Sequence, residues 1–140
     1  MLSWQTDCPK ILKLSTTRKG KIGELIVVND LLYRGYQVYF PVVDDNGIDL
    51  LVSNGKLIKS VQCKSQTTTR HRSSIEVNTR GCHKADIIAV PLKKKSCVCY
   101  IPSKMTRRAF NLAFIPSLNK QKKLIHWYED YLDFPWKEEK

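Results

Sequence analysis

The stretch GIDLLVSNGKLIKSVQCKS, from Gly47 to Ser65, decides the fold. Two runs of strand composition, IDLLV and KLIKSVQCKS, flank Ser53-Asn54-Gly55, a tight-turn sequence that folds the second run back antiparallel to the first. Strand alternation sends Val61 and Cys63 to one face and Gln62 and Lys64 to the other. Asp49, on the first run, then lies beside the second, so that a carboxylate, an amide and an ammonium converge on one hairpin.

Upstream of this hairpin, Ile22, Leu25, Ile26, Leu31 and Leu32 recur at near-helical spacing between Lys19 and Arg34. Gly35 follows as a C-terminal stop, so the pattern predicts a helix, and that helix carries Glu24. YQVYFPVV has strand composition, and DDNG, with Asp44 and Asp45, reads as a turn. Downstream, TTTRHRSSIEVNTRGCHKA is polar and basic, a substrate-contacting loop with at most a short strand or helical piece. ADIIAVPL and SCVCYIP flank a KKK turn and predict two central strands, with Asp86 at a strand start or supporting the site from behind.

Beyond these strands, SKMTRRAFNLAF predicts a helix that Pro116 ends. In NKQKKLIHWYEDYLDF the residues Leu124, Trp127, Tyr128 and Tyr131 stand at helical spacing, an aromatic stripe for a core or a subunit interface. With 140 residues, no internal repeat and no linker, the chain reads as one α/β domain.

Lys and Arg total 24 against 13 Asp and Glu, a net charge of +11 that recurs along the whole sequence instead of in one tail. A folded surface of this kind suits a polyanion, and nucleic acid fits better than a membrane, for which the basic residues would gather on one amphipathic helix. Arg70, Arg72, Arg80, Lys84, Lys93, Lys94 and Lys95 are the candidate contacts. No apolar run has the length of a membrane span, and the N-terminus lacks a signal peptide's apolar region, so a soluble, cytoplasmic and nucleoid-associated protein is expected. The cysteines Cys8, Cys63, Cys82, Cys97 and Cys99 are odd in number and irregularly spaced, which predicts reduced thiols. Cys82 and His83 with Cys97 and Cys99 form a weaker zinc reading, since there is no CxxC and the Cys97-x-Cys99 alternation suits one face of a buried strand. His71, His83 and His126 have no partner pattern.

A strand carboxylate beside a strand lysine is what metal-assisted phosphodiester hydrolysis needs, because Mg²⁺ prefers hard oxygen ligands and retains waters, one of which becomes the nucleophile. Singly, each residue has a plainer reading: Glu24 as a helix-terminus charge, Asp49 as a residue flanking the Asn46-Gly47 turn, Lys64 as an exposed strand lysine. Together and in order, KGKIGE, GIDLLV and QCK resemble the PD-(D/E)XK nuclease superfamily, with Gln62 where an acid is usual. This QxK variant, with RGYQVYFPV, ADIIAVPL and YIP around it, is similar to the branch of group I intron homing endonucleases of cyanobacterial type. Archaeal Holliday junction resolvases share the core.

The resemblance spans residues 19 to about 102 and implies a restriction-endonuclease-like domain over 1–140, a central mixed β-sheet flanked by helices. A C-terminal helical region over about 103–140 would serve DNA contact or oligomerisation. It further implies Asp49 as the primary ligand of Mg²⁺ or Mn²⁺, the backbone carbonyl of Cys63 as a second, and Glu24 restoring charge at the metal directly or through water. Gln62 would bind through its amide oxygen, and Lys64 would orient or deprotonate the attacking water and stabilise the phosphate. The implied activity is sequence-specific cleavage of double-stranded DNA by a homo-oligomer, a dimer at least and a tetramer if the aromatic segment forms a second interface. The alternatives are a junction-resolving nuclease and a DNA-binding module whose catalytic site has decayed.

Overall fold

A computed structural model describes residues 13–44, 46–64, 73–77, 84–107, 110–116 and 125–137. Helix α1 runs Thr16–Tyr33, and it begins earlier than the apolar spacing predicts because Ser15 caps it, its Oγ accepting from the Arg18 N–H at 3.3 Å. Its end is set by Gly35 at φ +82°: the Gly35 N–H donates to Leu32 O and the Tyr36 N–H to Leu31 O, the paired bonds of a Schellman cap.

Strand β1 spans Gln37–Tyr39 and stops before Pro41, which has no N–H for a ladder. β2 (Leu50–Ser53) and β3 (Ile58–Cys63) form the expected antiparallel hairpin, with Leu50 opposite Val61. Asn54 closes the turn: its Oδ1 accepts from the N–H groups of Lys56 and Leu57, with Gly55 at φ +91°. β4 (Ser74–Val77) is the short strand inside the basic segment. β5 (Ile87–Leu92) and β6 (Cys97–Pro102) pair antiparallel across the Lys93–Lys95 turn, as their composition predicts. β7 (Phe110–Ala113) and β8 (Ile125–Trp127) complete the strands.

The main sheet has the order β1-β2-β3-β5-β6; β3 and β5 are parallel and the other neighbours antiparallel, so the sheet is mixed. Alternation divides its side chains between two cores. Leu50, Val52, Val61, Ile87, Ala89, Val98 and Tyr100 face Val27 and Leu31 of α1. Ile88, Val90, Leu92, Cys99 and Ile101 face the second sheet, ordered β4-β7-β8, which contributes Phe110 and Leu112. Among the described residues, helix α1 flanks one side of the sheet and the strands of the second sheet flank the other.

The described residues of the C-terminal region correct the helical expectation for about 103–140. Among the described residues it holds no α-helix: Ser103–Thr106 is one 3-10 turn, Phe110–Ala113 is β7, Ile125–Trp127 is β8, and Tyr128–Tyr131 is another 3-10 turn. Phe110, Leu112 and Phe114 are buried at a spacing of two, and that period governs where the chain lies against a sheet. In the aromatic stripe, His126 stacks on Phe110 with centroids 4.0 Å apart, and the Tyr131 hydroxyl bonds His126 Nδ1 at 2.8 Å. Trp127, Tyr128 and Tyr131 are half-buried here, so these rings complete the fold; Leu124 lies outside the described residues. Asp30 and Arg34 tie α1 to this region. Asp30 accepts from Arg34 Nε and from the Tyr100 hydroxyl, and Arg34 Nη2 donates to Leu132 O at 2.6 Å. No helix among the described residues is long and apolar enough to cross a membrane.

Candidate active site

Asp49 sits one residue before β2, where the hairpin ladder begins, and two bonds orient it. Its N–H donates to Val61 O at 2.9 Å, and its Oδ2 accepts from the Cys63 N–H at 2.6 Å. A side chain therefore takes an amide that the ladder would otherwise use, and the carboxylate is held against the end of β3. Burial is the main cause that raises the Asp49 pKa above the usual carboxylate range; the Cys63 N–H opposes it, the Glu24 and Asp44 carboxylates add to it, and the Lys21 ammonium opposes it. A half-buried carboxylate with acidic neighbours is electrostatically short of positive charge.

Glu24 comes from α1 and is ion-paired with Lys21 one turn earlier, at 2.9 Å. Its side chain is only 12% exposed, so α1 delivers it toward the sheet instead of to solvent. The Glu24 bond is the main cause raising the Lys21 pKa, which keeps this ammonium charged. The sequence reading missed Lys21 as a member of the site; its i,i+3 spacing from Glu24 was the available sign.

Gln62 lies on β3, on the face away from α1, and is buried. Among the described residues its Oε1 has no hydrogen-bond partner, while Nε2 lies 3.4 Å from where a Cβ on Gly47 would stand. Gly47, at φ +67°, is thus the residue that lets the chain close over Gln62, a role that the Asn46-Gly47 turn signal did not disclose. Lys64 follows β3 directly; its N–H donates to Ala89 O at 2.9 Å, which continues the ladder, and alternation keeps it on the Gln62 face. The elements thus bring Asp49, Cys63, Glu24 and Lys21 into one electrostatic group, with Gln62 and Lys64 adjoining it along β3.

Asp86 lies outside this group and clamps β3 to β5. Its Oδ2 accepts from the Ser60 N–H at 2.9 Å and Oγ at 3.0 Å, and its own N–H donates back to Ser60. Of the candidate DNA contacts, Lys84 donates from Nζ to Asn46 Oδ1 at 3.2 Å, beside the turn that covers Gln62. Lys93, Lys94 and Lys95 are exposed in the turn after β5, at the same end of the parallel pair β3 and β5 as Lys64. Arg70, Arg72 and Arg80 lie outside the described residues, as do Asp45, His71, Cys82 and His83.

The donor set fits a hard divalent cation. A carboxylate raised in pKa by burial and a buried amide oxygen without a donor among the described residues are both relieved by a cation that takes oxygen ligands. Among the described residues no three His, Cys, Asp or Glu side chains cluster for metal binding, so a cation here relies on neutral oxygens as well as Asp49. Burial raises the Cys63 pKa well above the ordinary thiol range and pushes Cys99 up to about 12, which favours the protonated form of both thiols. Cys97 and Cys99 alternate on the strand as expected, with Cys99 fully buried.

Comparison with curated proteins finds no match. Among solved structures, a bacterial homing endonuclease, I-Ssp6803I, is similar over 79% of this chain and 82% of its own, with a TM-score of 0.64 and 18% sequence identity. At that identity the likeness concerns the fold, and it places this mixed sheet within a restriction-endonuclease-like architecture. The sequence itself matches the PD-(D/E)XK endonuclease family across residues 14–134, which takes in the helix with Glu24, the hairpin with Asp49, Gln62 and Lys64, and the C-terminal strands; the chain belongs to that family.

Proposed function

We propose that the chain, as a single nuclease domain over residues 1–140, is a metal-dependent endonuclease of homing type that hydrolyses double-stranded DNA at a specific sequence. The observation that supports this most is the Asp49 carboxylate held at 2.6 Å by the Cys63 amide, with Gln62 the residue before Cys63 on the same strand and its buried Oε1 without a partner among the described residues. Asp49 is the principal ligand of Mg²⁺ or Mn²⁺, with the Cys63 carbonyl and Gln62 Oε1 as neutral ligands. When bound, the cation polarises the phosphodiester and lowers the pKa of water.

The chain's own groups do the rest. Lys64 positions the attacking water and stabilises negative charge on the phosphate, a role that needs its ammonium form in the transition state. Glu24 adds the negative charge that Gln62 lacks, and Lys21 limits its repulsion of Asp49. The basic surface, with Arg70, Arg72, Arg80, Lys84, Lys93, Lys94 and Lys95, holds the duplex backbone. Two strands require two active sites, so the working form is a homo-oligomer, a dimer at least. Such an activity belongs in the cytoplasm with nucleoid DNA.

Incubating purified protein with a randomised duplex library and Mg²⁺ tests this reading. The expected result is cleavage at one enriched sequence, abolished by EDTA. Preferential cutting of four-way junctions would point to a resolving nuclease, and metal-dependent binding without any cutting to a decayed site.

A further inference from the structure

The outward face of α1 carries the positions Arg18, Ile22, Leu25, Asn29, Leu32 and Tyr33. Ile22, Leu25, Leu32 and Tyr33 are 39%, 51%, 55% and 87% exposed, although the opposite face of the same helix already buries Val27 and Leu31 in the core. A helix that is apolar on both faces is covered on both faces. The patch continues beyond the helix. Phe40 lies under the Lys21 ammonium, 6.0 Å from Nζ to the ring centroid, and is 53% exposed, while Val42 and Val43 just after it are more exposed still. Contiguous exposed apolar surface of this kind is uncommon on a protein that works alone.

We propose that this face is the subunit interface, and that its occupant is a second copy of the chain, α1 packing on its symmetry mate. The proposal deepens the reading of an oligomeric nuclease by naming the surface, and its test requires neither DNA nor metal. Two observations favour a second copy over another partner. Ile22, Leu25, Asn29 and Leu32 follow the 3-4-3 spacing of a helix-pairing seam, which an identical helix meets with the same spacing. Asn29 is the lone polar residue within that seam. Against an apolar partner its amide would lose water without gaining a bond, whereas across a two-fold axis passing beside it, its oxygen and NH₂ group match those of the second Asn29. Leu25 on one side and Leu32 with Tyr33 on the other then enclose that amide pair. An interface of ordinary size buries about 800 Å² per partner. Phe40, Val42 and Val43 extend the helix stripe toward that area.

The aromatic segment expected from the sequence does not compete for this role, because Tyr131 and His126 are engaged with Phe110 inside the subunit. The arrangement also places Glu24 and Lys21, on the flank of the same helix, close to the axis, so that two active sites face one duplex from either side of it.

Sedimentation equilibrium of the metal-free, DNA-free protein at micromolar concentration tests the proposal. Wild type is expected at twice the 16.2 kDa chain mass, and Leu25→Glu with Leu32→Glu at the chain mass, with unchanged thermal unfolding at high dilution because both positions are exposed. Asn29→Cys under mild copper-phenanthroline oxidation is expected to give a covalent dimer in high yield that wild type does not give. A monomeric wild type, a double variant that remains dimeric while folded, or an Asn29→Cys protein that does not cross-link above wild type would each overturn the proposal. A dimer that forms as described but cuts no DNA would leave the interface standing and remove the nuclease reading.

Discussion

The Cys63 amide donates to Asp49 Oδ2 at 2.6 Å, across the open end of the β2–β3 hairpin. The bond joins residues fourteen apart in sequence, and it exists because the backbone of β3 ends where the Asp49 side chain begins. The carboxylate's orientation is therefore tied to the strand pairing. The same arrangement leaves a half-buried charge near two other carboxylates, Glu24 and Asp44, which makes the site unfavourable when it is empty of cation.

Asp49→Asn should therefore raise the stability of the metal-free protein while reducing cleavage by about three orders of magnitude or more. The Asp49 pKa is raised in the folded state, so the folded protein holds the proton more tightly than the unfolded chain does. Between the unfolded and the raised folded pKa, stability falls as pH rises, and the deficit persists at neutral pH. In the Asp49→Asn variant this part of the pH dependence should vanish. Thermal unfolding from pH 4 to 8 checks it, and Mg²⁺ at about a hundred times its Kd should stabilise wild type alone, by about 2.7 kcal/mol.

Gln62→Glu should retain cleavage and tighten Mg²⁺ binding, since a carboxylate replaces a neutral oxygen that has no partner among the described residues. Without metal the same change places a negative charge at a buried position, so the melting temperature should drop and then recover on adding Mg²⁺. Isothermal titration calorimetry and a melting series measure both. Complete loss of cutting would mean that the Gln62 NH₂ group, close beside Gly47, makes a contact that a carboxylate cannot.

The helix and the hairpin were legible because local chemistry decides them. Gly35 ends α1, Asn54 and Gly55 close the β2–β3 turn, and both act within a few residues. The positions of Asp49, Gln62 and Lys64 on that hairpin followed from its turn and its alternation. The C-terminal segment was illegible for the opposite reason. Trp127, Tyr128 and Tyr131 fit a helical stripe in sequence, yet His126 stacks on Phe110 and Ile125 pairs with Asn111, contacts that only the second sheet provides. The spacing of Phe110, Leu112 and Phe114 did carry the strand period, but three residues alternate by chance too often to outweigh a longer helical pattern. Lys21 and Gly47 were hidden because their roles depend on the approach of Glu24 and Gln62 in space.

Asp86→Ala should cost about 1–3 kcal/mol, because the Ser60 N–H and hydroxyl lose their shared acceptor in a half-buried setting. Ser60 stands two residues before Gln62, and the clamp sets the register of the parallel β3–β5 pair on which the Lys64 N–H also relies. Chemical denaturation gives the stability change. A neutral result would mean that water replaces the carboxylate at no cost.

Duplex affinity should fall steeply with salt. If a subunit neutralises about six phosphates, the slope of log K against log monovalent salt is about −5, and each lysine contact removed shallows it by about 0.9. Changing Lys84, Lys93 and Lys94 together to Ala should therefore lower affinity equally on cognate and unrelated duplexes, as read by fluorescence anisotropy at several salt concentrations. A flat dependence would show that this surface charge serves some purpose other than the duplex backbone.

Lys64→Met keeps most of the length of the side chain and removes its ammonium, so it separates charge at the phosphate from charge at the cation. Its backbone bond to Ala89 does not involve the side chain, and the ladder and the fold should survive. Cleavage should be lost to background, because the attacking water is no longer positioned and the phosphate charge is no longer met. Mg²⁺ affinity measured in the absence of DNA should stay within a few-fold of wild type, unlike Asp49→Asn, where it should disappear. Duplex binding without metal should weaken slightly in Lys64→Met and hold or tighten in Asp49→Asn, since one change removes an attraction to phosphate and the other a repulsion. If Lys64→Met instead loses Mg²⁺ binding along with cleavage, the lysine supports the metal site and the water must be positioned by another group, for which Lys21, already ion-paired with Glu24, is the next residue to change.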